Sequence, residues 1–220
     1  MATAKTGLLI ASCIALATAV LGGRYVLRDD FMPPPGTALR PADQAALDPR
    51  IWYRQSSLPR LALPGGEDRT VSSVLNVSKA MEFGDFVWNE DAIPAGPVWV
   101  RIDLGNQLMS VFRGEHEIGS AVILYGTDGK PTPTGAFNVL AKDADYRSIT
   151  YDAPMPFMLR LTADGVAIHA SNVREGSATH GCIGVPPEFA RRLFAQVQLG
   201  NFVAILPVGA DGTKPATPSN

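Results

Sequence analysis

A series of short strand-like runs separated by tight turns, from residue 98 to residue 206, constrains this chain most strongly. In the run 98–104, apolar residues alternate with Trp99, Arg101 and Asp103, which predicts a strand with one buried face. Turn residues at 105–106 and 113–115 predict that the next two runs, 108–112 and 118–125, fold back on it as hairpins. Further strand-like runs follow at 135–140, 156–161, 166–169 and 202–206.

One segment between these runs has a helical pattern instead. It opens with Pro186-Pro187-Glu188 and stops near Gly200, and its apolar residues recur at helical spacing. They are Phe189, Leu193, Phe194 and Val197. The sequence therefore predicts a mostly β domain with one short helix.

The N-terminus carries a nearly unbroken apolar stretch at residues 7–23, after Lys5 and before Arg24. Its length fits either an uncleaved signal anchor or a cleaved signal peptide, so residues 1–23 are assigned to one of these two. Both alternatives place the rest of the chain outside the cytoplasm, with the membrane as a partner through this segment.

The remaining boundaries follow from composition. Residues 24–70 hold seven prolines and no sustained apolar period, which predicts a Pro/Gly-rich periplasmic spacer. Residues 71–97 have an uncertain structure, and residues 98–207 form the predicted mostly β domain. From 208 to 220 the chain is small and polar, which predicts a disordered tail.

The charge pattern excludes one class of partner. The formal net charge is −2, and the sequence contains no block of lysines and arginines. Proteins that bind nucleic acid need a basic patch to contact the phosphates. We therefore expect no nucleic-acid partner.

The chemistry is concentrated around Cys182, the only cysteine outside the N-terminal apolar stretch. An exported chain with one such cysteine has no disulfide partner within itself. His180 lies two residues before it, and His169 ends a strand-like run thirteen residues before it. A thiolate needs a base to form it, so the pattern favours a cysteine nucleophile with His169 as its base.

Two further groups complete this hypothesis. A neutral His169 needs its other ring nitrogen held, and with no acidic residue nearby the backbone carbonyl of Ala170 is the candidate. Gly181 permits a backbone turn that other residues resist. The amides of Gly181 and Cys182 could then converge on one oxygen and stabilise an oxyanion.

Two simpler interpretations stay open. A single cysteine is often a buried small apolar residue, and a single histidine is often a hydrogen-bonded polar group without a catalytic role. Alternatively, His169, His180 and Cys182 could hold zinc. No fourth ligand is evident, because His116 is predicted to lie in an exposed turn.

The motifs resemble those of the L,D-transpeptidase catalytic domain family (the YkuD-type fold), over residues 98–206. The matching segments occur in the family's order, and the last is the most specific. They are the strand at 98–104, Pro131-Thr132-Pro133-Thr134-Gly135-Ala136-Phe137, Met155-Pro156-Phe157, Ile168-His169 and Thr179-His180-Gly181-Cys182-Ile183.

The resemblance implies a β-sandwich-like domain in the bacterial envelope, anchored to the inner membrane on its periplasmic side or secreted. It implies peptidoglycan stem peptides as substrates and an amine acceptor on a neighbouring stem or an envelope lipoprotein. Carried onto this chain, Cys182 is the nucleophile and His169 the base, while His180 and Gly181 shape the oxyanion region. No metal or organic cofactor is implied.

The same resemblance suggests residues that bind the donor stem. Tyr125, Tyr151 and Met155 could line the donor groove, although such side chains are as readily part of a core. Thr179 could bond the backbone of the loop or be an ordinary turn residue. Arg174 could hold a substrate carboxylate or be a surface charge.

One position departs from the family pattern. Gly184 stands two residues after the cysteine, where the family commonly has arginine or asparagine. An arginine there would bind a substrate carboxylate with paired hydrogen bonds, which glycine cannot do. Hydrolysis by the same cysteine, as in an L,D-carboxypeptidase, and a non-catalytic wall-binding domain therefore stay open as alternatives.

Overall fold

The computed structural model describes residues 48–127 and 129–209. In chain order, the strands of this part are β1 (Arg50–Trp52), β2 (Arg60–Leu61), β3 (Arg69–Thr70), β4 (Ser73–Leu75), β5 (Phe86–Trp88), β6 (Val98–Asp103), β7 (Leu108–Arg113), β8 (His116–Val122), β9 (Gly135–Asn138), β10 (Ala141–Asp143), β11 (Met158–Arg160), β12 (Ala167–Ala170), β13 (Ile183–Val185) and β14 (Phe202–Leu206). A 3₁₀ turn spans Gln55–Ser57, and helix α1 spans Pro187–Gln196.

The larger sheet has the strand order β1-β4-β8-β7-β6-β14-β9, and β5 also pairs with β8. Strands β6, β7 and β8 form the two predicted hairpins, because the turns between them are too short for any other connection. The closing strand β14 lies parallel to β6 and antiparallel to β9. The predicted mostly β fold with one short helix is confirmed for the described residues.

The smaller sheet has the order β10-β11-β12-β13, and only its last pair, β12 with β13, is parallel. A bridge between Leu124 and Gly184 connects the chain after β8 to β13. Helix α1 follows β13 and contacts both β12 and β8. Helix α1 therefore packs against β12, which carries His169, while the bridge to Leu124 holds β13, which directly follows Cys182.

The main core lies between the inner face of β6–β8 and the elements of the smaller sheet and α1. Phe189 and Leu193 of α1 are fully buried in it, as the helical spacing predicted. Burying each such side chain contributes about 1.5–3 kcal/mol. Pro187 occupies the first turn of the helix, where its missing amide hydrogen costs no hydrogen bond.

The outer face of β6 is also buried, which differs from the prediction of a half-buried strand. Trp99 stacks on Phe112 of β7, with ring centroids 4.1 Å apart and planes 6° from parallel. Leu63 and Val71 cover this pair and complete a second apolar cluster. Alternation in the sequence shows which residues share a face, but it does not show whether another segment covers that face.

That covering segment comes from the region where the sequence predicted a spacer. β1 pairs with β4, which in turn pairs with the start of β8, and β2 pairs with β3. Arg50 is buried, and its guanidinium donates to the carbonyl oxygens of Glu117 at 2.6 Å and Asn89 at 2.7 Å. β1 and β4 thus extend the sheet at its edge, and the chain between them covers its outer face. The strands here are very short and one of their buried residues is an arginine. The sequence therefore shows no alternation of apolar residues that would predict them.

Other sequence predictions lie outside the described residues. These are the signal segment at 1–23, the spacer up to residue 47 and the tail from 210 onward. No helix among the described residues is both long and apolar enough to cross a membrane.

Candidate active site

The strand register brings His169 and Cys182 to one face of the smaller sheet. His169 lies in β12 opposite Gly184 of β13, and Cys182 directly precedes β13. Alternate residues of a strand share a face, and paired residues project to the same side. The same register sets Cys182 beside Ala167, and the two residues belong to one cluster.

The ring of His169 is held in one orientation. Its Nδ1 lies 2.8 Å from the carbonyl oxygen of Ala170, the acceptor that the sequence suggested. Because a carbonyl can only accept, Nδ1 carries the proton and Nε2 keeps its lone pair. Burial lowers the pKa of His169 below its usual 6.5, although the Ala170 carbonyl partly opposes this. The imidazole is therefore neutral and able to accept a proton.

The thiol of Cys182 is half-buried in a cluster formed by Met155, Met158 and Ala167. Burial raises the pKa of Cys182, while the backbone amide of Ala167 and the cation of Lys130 act in the opposite direction. The sulfur lies 3.8 Å from the carbonyl oxygen of Gly165, a weak acceptor for the thiol hydrogen. The resting state of the site thus has a neutral thiol on Cys182 and a neutral imidazole on His169.

Thr179 fixes the loop that carries the thiol. Its hydroxyl donates to the carbonyl oxygen of Cys182 at 2.5 Å, and its backbone amide donates to the carbonyl oxygen of Tyr125 at 3.0 Å. The predicted bond from Thr179 to the loop backbone is therefore present. The side chain of Tyr125 is half-buried against the main core.

Gly181 adopts a backbone conformation that favours glycine, with φ of +100°. The hydroxyl of Thr132 donates to the carbonyl oxygen of Gly181 at 3.0 Å and accepts from the amide of Gly126 at 2.9 Å. A Cβ on Gly126 would lie 2.8 Å from Gly181, so two glycine backbones pack directly together here. This packing sets the path of the chain into Cys182.

His180 and Tyr151 form an exposed rim on the site. Their rings are stacked, with centroids 4.8 Å apart. The hydroxyl of Tyr151 accepts a hydrogen bond from the Nζ of Lys130 at 3.0 Å. The predicted role of His180 in shaping the oxyanion region stays a prediction, because its described ring contact is with Tyr151.

The other two candidate substrate residues differ in position. Met155 is buried in the cluster beside the thiol. Arg174 is exposed, and its Nε donates to the side-chain oxygen of Asn172 at 3.0 Å. Met155 is therefore brought to the nucleophile, while the described contact of Arg174 is a local one at the surface.

The surroundings of Gly184 explain the departure from the family pattern. A Cβ at this position would lie 2.8 Å from the Cβ of Ser171 and 3.4 Å from that of Leu124. Gly184 is buried, and 2.8 Å is too short for two Cβ atoms, so any side chain at this position requires Ser171 to move. The Ser171 side chain fills the space next to His169 that a side chain at position 184 would need.

A zinc site receives no support from the described residues. No group of three histidine, cysteine, aspartate or glutamate side chains lies close enough there to hold a metal ion. His116 was predicted to lie in an exposed turn, but it begins β8 and is half-buried. Its Nδ1 lies 2.9 Å from the hydroxyl of Ser73, on a different part of the larger sheet.

Sequence reasoning missed three residues of the site. Thr132 was quoted only as part of the Pro/Thr/Gly turn, and its two hydrogen bonds required the fold to be known. Lys130 next to that turn and Ser171 next to Ala170 carry no distinctive pattern. Their roles follow from proximity in space, for which the sequence holds no signal.

Comparison with known families assigns this part of the chain. Residues 97–205 match the family model described as YkuD, the L,D-transpeptidase catalytic domain. This part of the chain belongs to the L,D-transpeptidase catalytic domain family. The resemblance of the sequence motifs to this family is thereby confirmed. No curated protein matches the chain.

Several solved L,D-transpeptidases are similar to it. One from Stackebrandtia nassauensis is 21% identical with a TM-score of 0.48, covering 53% of this chain and 60% of that chain. A mutant of the Enterococcus faecium enzyme is 26% identical with a TM-score of 0.47, covering 51% and 50%. L,D-transpeptidase 1 of Mycobacterium tuberculosis is 23% identical with a TM-score of 0.44, covering 50% and 62%. The chain thus spans about half to three-fifths of the length of these proteins.

Proposed function

We propose that this protein is a peptidoglycan L,D-transpeptidase that acts through a thioester on Cys182. The observation that carries the proposal is the orientation of His169. Its Nδ1 is held by the Ala170 carbonyl, on the strand face that also bears Cys182. This leaves Nε2 as the proton acceptor for the thiol, and a neutral histidine is the ordinary base for such a nucleophile.

In the first step, the sulfur of Cys182 attacks the carbonyl carbon between the diamino acid of the stem and its terminal D-alanine. The thiol proton passes to His169 as the carbon–sulfur bond forms. The amides of Gly181 and Cys182 stabilise the oxyanion, and His180 shapes this region. The carbon–nitrogen bond then breaks, His169 returns the proton to the leaving amine, and D-alanine departs.

In the second step, an amine attacks the thioester. The new carbon–nitrogen bond replaces the carbon–sulfur bond, His169 takes a proton from the amine, and the thiolate of Cys182 recovers one. This cycle fits a resting state in which Cys182 and His169 are both neutral. The thiol proton then moves to the imidazole only when a substrate carbonyl is in place. The acceptor is an amine of a neighbouring stem or of a lipoprotein lysine.

Substrate contacts are proposed at the rim and floor of the site. Met155 lies against the thiol, Tyr151 and Thr179 lie on the two segments that flank it, and Tyr125 supports the loop. We further propose that the domain works on the periplasmic side of the inner membrane, with residues 1–23 as anchor or signal.

Acylation by a carbapenem tests the nucleophile. The full-length protein is incubated with the drug, and its intact mass is recorded. We expect one covalent adduct on the wild type and none on Cys182→Ala. His169→Ala should form the adduct at least tenfold more slowly, since it lacks the base. An adduct that persists in Cys182→Ala would rule out the assignment.

Digestion of a disaccharide-tetrapeptide separates transfer from hydrolysis. Cross-linked dimers are expected if an amine is the acceptor. Tripeptide as the sole product would instead support an L,D-carboxypeptidase that uses the same cysteine. If neither product forms although the carbapenem adduct does, the natural donor differs from the stem tetrapeptide.

A further inference from the structure

Position 184 is glycine, whereas the family commonly has arginine or asparagine there, so it supplies no side chain to bind a substrate carboxylate. Ser171 occupies the space where a side chain on Gly184 would begin, with its Cβ 2.8 Å and its hydroxyl 3.0 Å from that point. A donor stem that ends in a carboxylate still brings a negative charge close to the thiol. A cation that binds this charge must therefore come from another segment of the chain.

Lys130 is positioned to supply it. The carbonyl oxygens of Lys130 and Pro131 both lie 3.6 Å from the point where a Cβ on Gly181 would stand, and Cγ of Lys130 lies 3.8 Å from it. The segment thus packs against the glycine that precedes the nucleophile. Among the charged groups of the described residues, Lys130 is also the cation that acts electrostatically on Cys182.

The ammonium group of Lys130 contacts Tyr151 and keeps hydrogens that a ligand can accept. Its Nζ donates to the hydroxyl of Tyr151 at 3.0 Å and lies 5.4 Å from the centre of that ring. Tyr151 is stacked in turn on His180, which holds the pair at the rim. None of the ion pairs among the described residues includes Lys130, although the charge of Asp164 acts on it and on Cys182. The bond to Tyr151 uses one of the three ammonium hydrogens, which leaves two for a ligand.

We propose that Lys130 and the hydroxyl of Tyr151 together bind the terminal carboxylate of the donor stem peptide. The ammonium donates a charge-assisted hydrogen bond to one carboxylate oxygen. The Tyr151 hydroxyl, which accepts from Lys130, donates its own hydrogen to the carboxylate. The inference rests on the proposed function, and it makes Lys130 and Tyr151 specificity residues for a donor with a free carboxylate.

A pair of donors tests this assignment: a stem tetrapeptide ending in free D-alanine and the same peptide ending in D-alaninamide. The measurement is kcat/KM for each donor with the full-length wild type, Lys130→Met, Lys130→Arg, Tyr151→Phe and Lys79→Met. Lys79 is an exposed lysine on a groove formed by residues 77–83, β7 and β8, and serves as the matched control.

We expect the wild type and Lys79→Met to prefer the free acid to the amide. In Lys130→Met, kcat/KM for the acid should fall about 10- to 100-fold while that for the amide changes less than about threefold, the range of one charge-assisted hydrogen bond. Lys130→Arg should keep most of the preference because it keeps the charge. Tyr151→Phe should lose a smaller part of the preference for the free acid than Lys130→Met does.

Two results would overturn the inference. If Lys130→Met slows both donors equally, the lysine acts on the thiol and not on the substrate carboxylate. If neither donor is affected, Lys130 has no part in the site. A failed proposed function looks different, because the wild type would then release no D-alanine or D-alaninamide and Cys182 would carry no acyl group.

Discussion

The atoms around Gly184 leave no room for a side chain, so position 184 cannot supply a polar or charged group to the site. Its φ is outside the left-handed region, so the backbone itself would accept alanine. The obstacle is the Ser171 side chain, 2.8 Å from the Cβ position. The glycine and the serine therefore act as a size-matched pair, and neither can be changed alone without effect on the other.

Gly184→Ala tests this pairing. The added methyl must displace Ser171 and strands β12 and β13, so we expect a loss of about 1–3 kcal/mol in the free energy of unfolding. In a Ser171→Gly background the same change should cost less than about 1 kcal/mol, because the space is then open. Urea unfolding of the four proteins measures both values. Equal costs in the two backgrounds would contradict the pairing.

The pH dependence of Cys182 acylation follows from His169. Burial disfavours the imidazolium, so the pKa of His169 falls below 6.5 and the ring stays neutral to lower pH than an exposed histidine. In the proposed mechanism, acylation needs the neutral ring. The rate should therefore stay level near neutral pH and decline only below pH 6.5.

Carbapenem acylation rates across about pH 5 to about pH 9 check this prediction. The pKa of Cys182 is raised above its usual 9.0, chiefly by burial, so free thiolate contributes little in that range. His169→Gln serves as the control, since its slower reaction should show no acid limb. A wild-type rate that already declines above pH 6.5 would mean that the imidazole is not the buried base described here.

At the scale of elements, one long side chain from the smaller sheet supplies hydrogen bonds to the C-terminal end of helix α1. The last carbonyls of a helix have no partner within it. Lys142 of β10 donates from Nζ to the carbonyl oxygens of Phe194, at 2.7 Å, and Val197, and it lies 4.4 Å from the Phe194 ring centre. This contact fixes the helix, and with it the sheet that carries His169.

Lys142→Met keeps the aliphatic stem but removes the charge from this helix end. We expect a loss of about 1–2 kcal/mol in unfolding free energy, because two carbonyl groups and the negative end of the helix dipole lose their donor. Chemical denaturation measures the change. Lys79→Met, an exposed lysine elsewhere, should change stability by less than about 0.5 kcal/mol. Equal effects would argue against a role for the helix end.

At the scale of the whole described domain, the larger sheet is buried on both faces, because the chain between β1 and β4 covers its outer face while those two strands extend its edge. Arg50 of β1 joins this edge to the rest of the sheet by donating to Ser73 of β4 and to the backbone carbonyls of Asn89 and Glu117. The carboxylate of Glu117 is also buried and accepts from the amide of Leu75 at 2.9 Å. The cover is therefore held by a desolvated polar network as well as by apolar packing.

Arg50→Met tests whether this cover is part of the folding unit. It removes one of the two cations near the buried Glu117, the other being Arg101, and it leaves several acceptors without a donor, so we expect a loss of about 3–5 kcal/mol. Arg54→Met, an exposed arginine a few residues away, should have little effect. Thermal unfolding monitored by circular dichroism distinguishes them. Similar melting temperatures for Arg50→Met and wild type would show that residues 50–75 fold onto the sheet without contributing to its stability.

Much of the fold was readable because its signals are local. Alternation at 98–104 and the turn residues after it specify the two central hairpins, and the 3.6-residue spacing of Phe189 and Leu193 specifies α1. The segment 50–75 was not readable. Strands of two or three residues have no period, and β4 joins the sheet through His116, more than forty positions further along the chain.

The sequence by itself determined which residues we propose as the catalytic pair, because Cys182 and His169 lie in motifs that resemble those of the family. Only the tertiary structure decided their protonation and surroundings. A pKa depends on burial and on neighbours such as Ala170 and Lys130, and the space at Gly184 depends on Ser171. Such contacts join residues that are distant in the chain, so no reading of adjacent residues contains them.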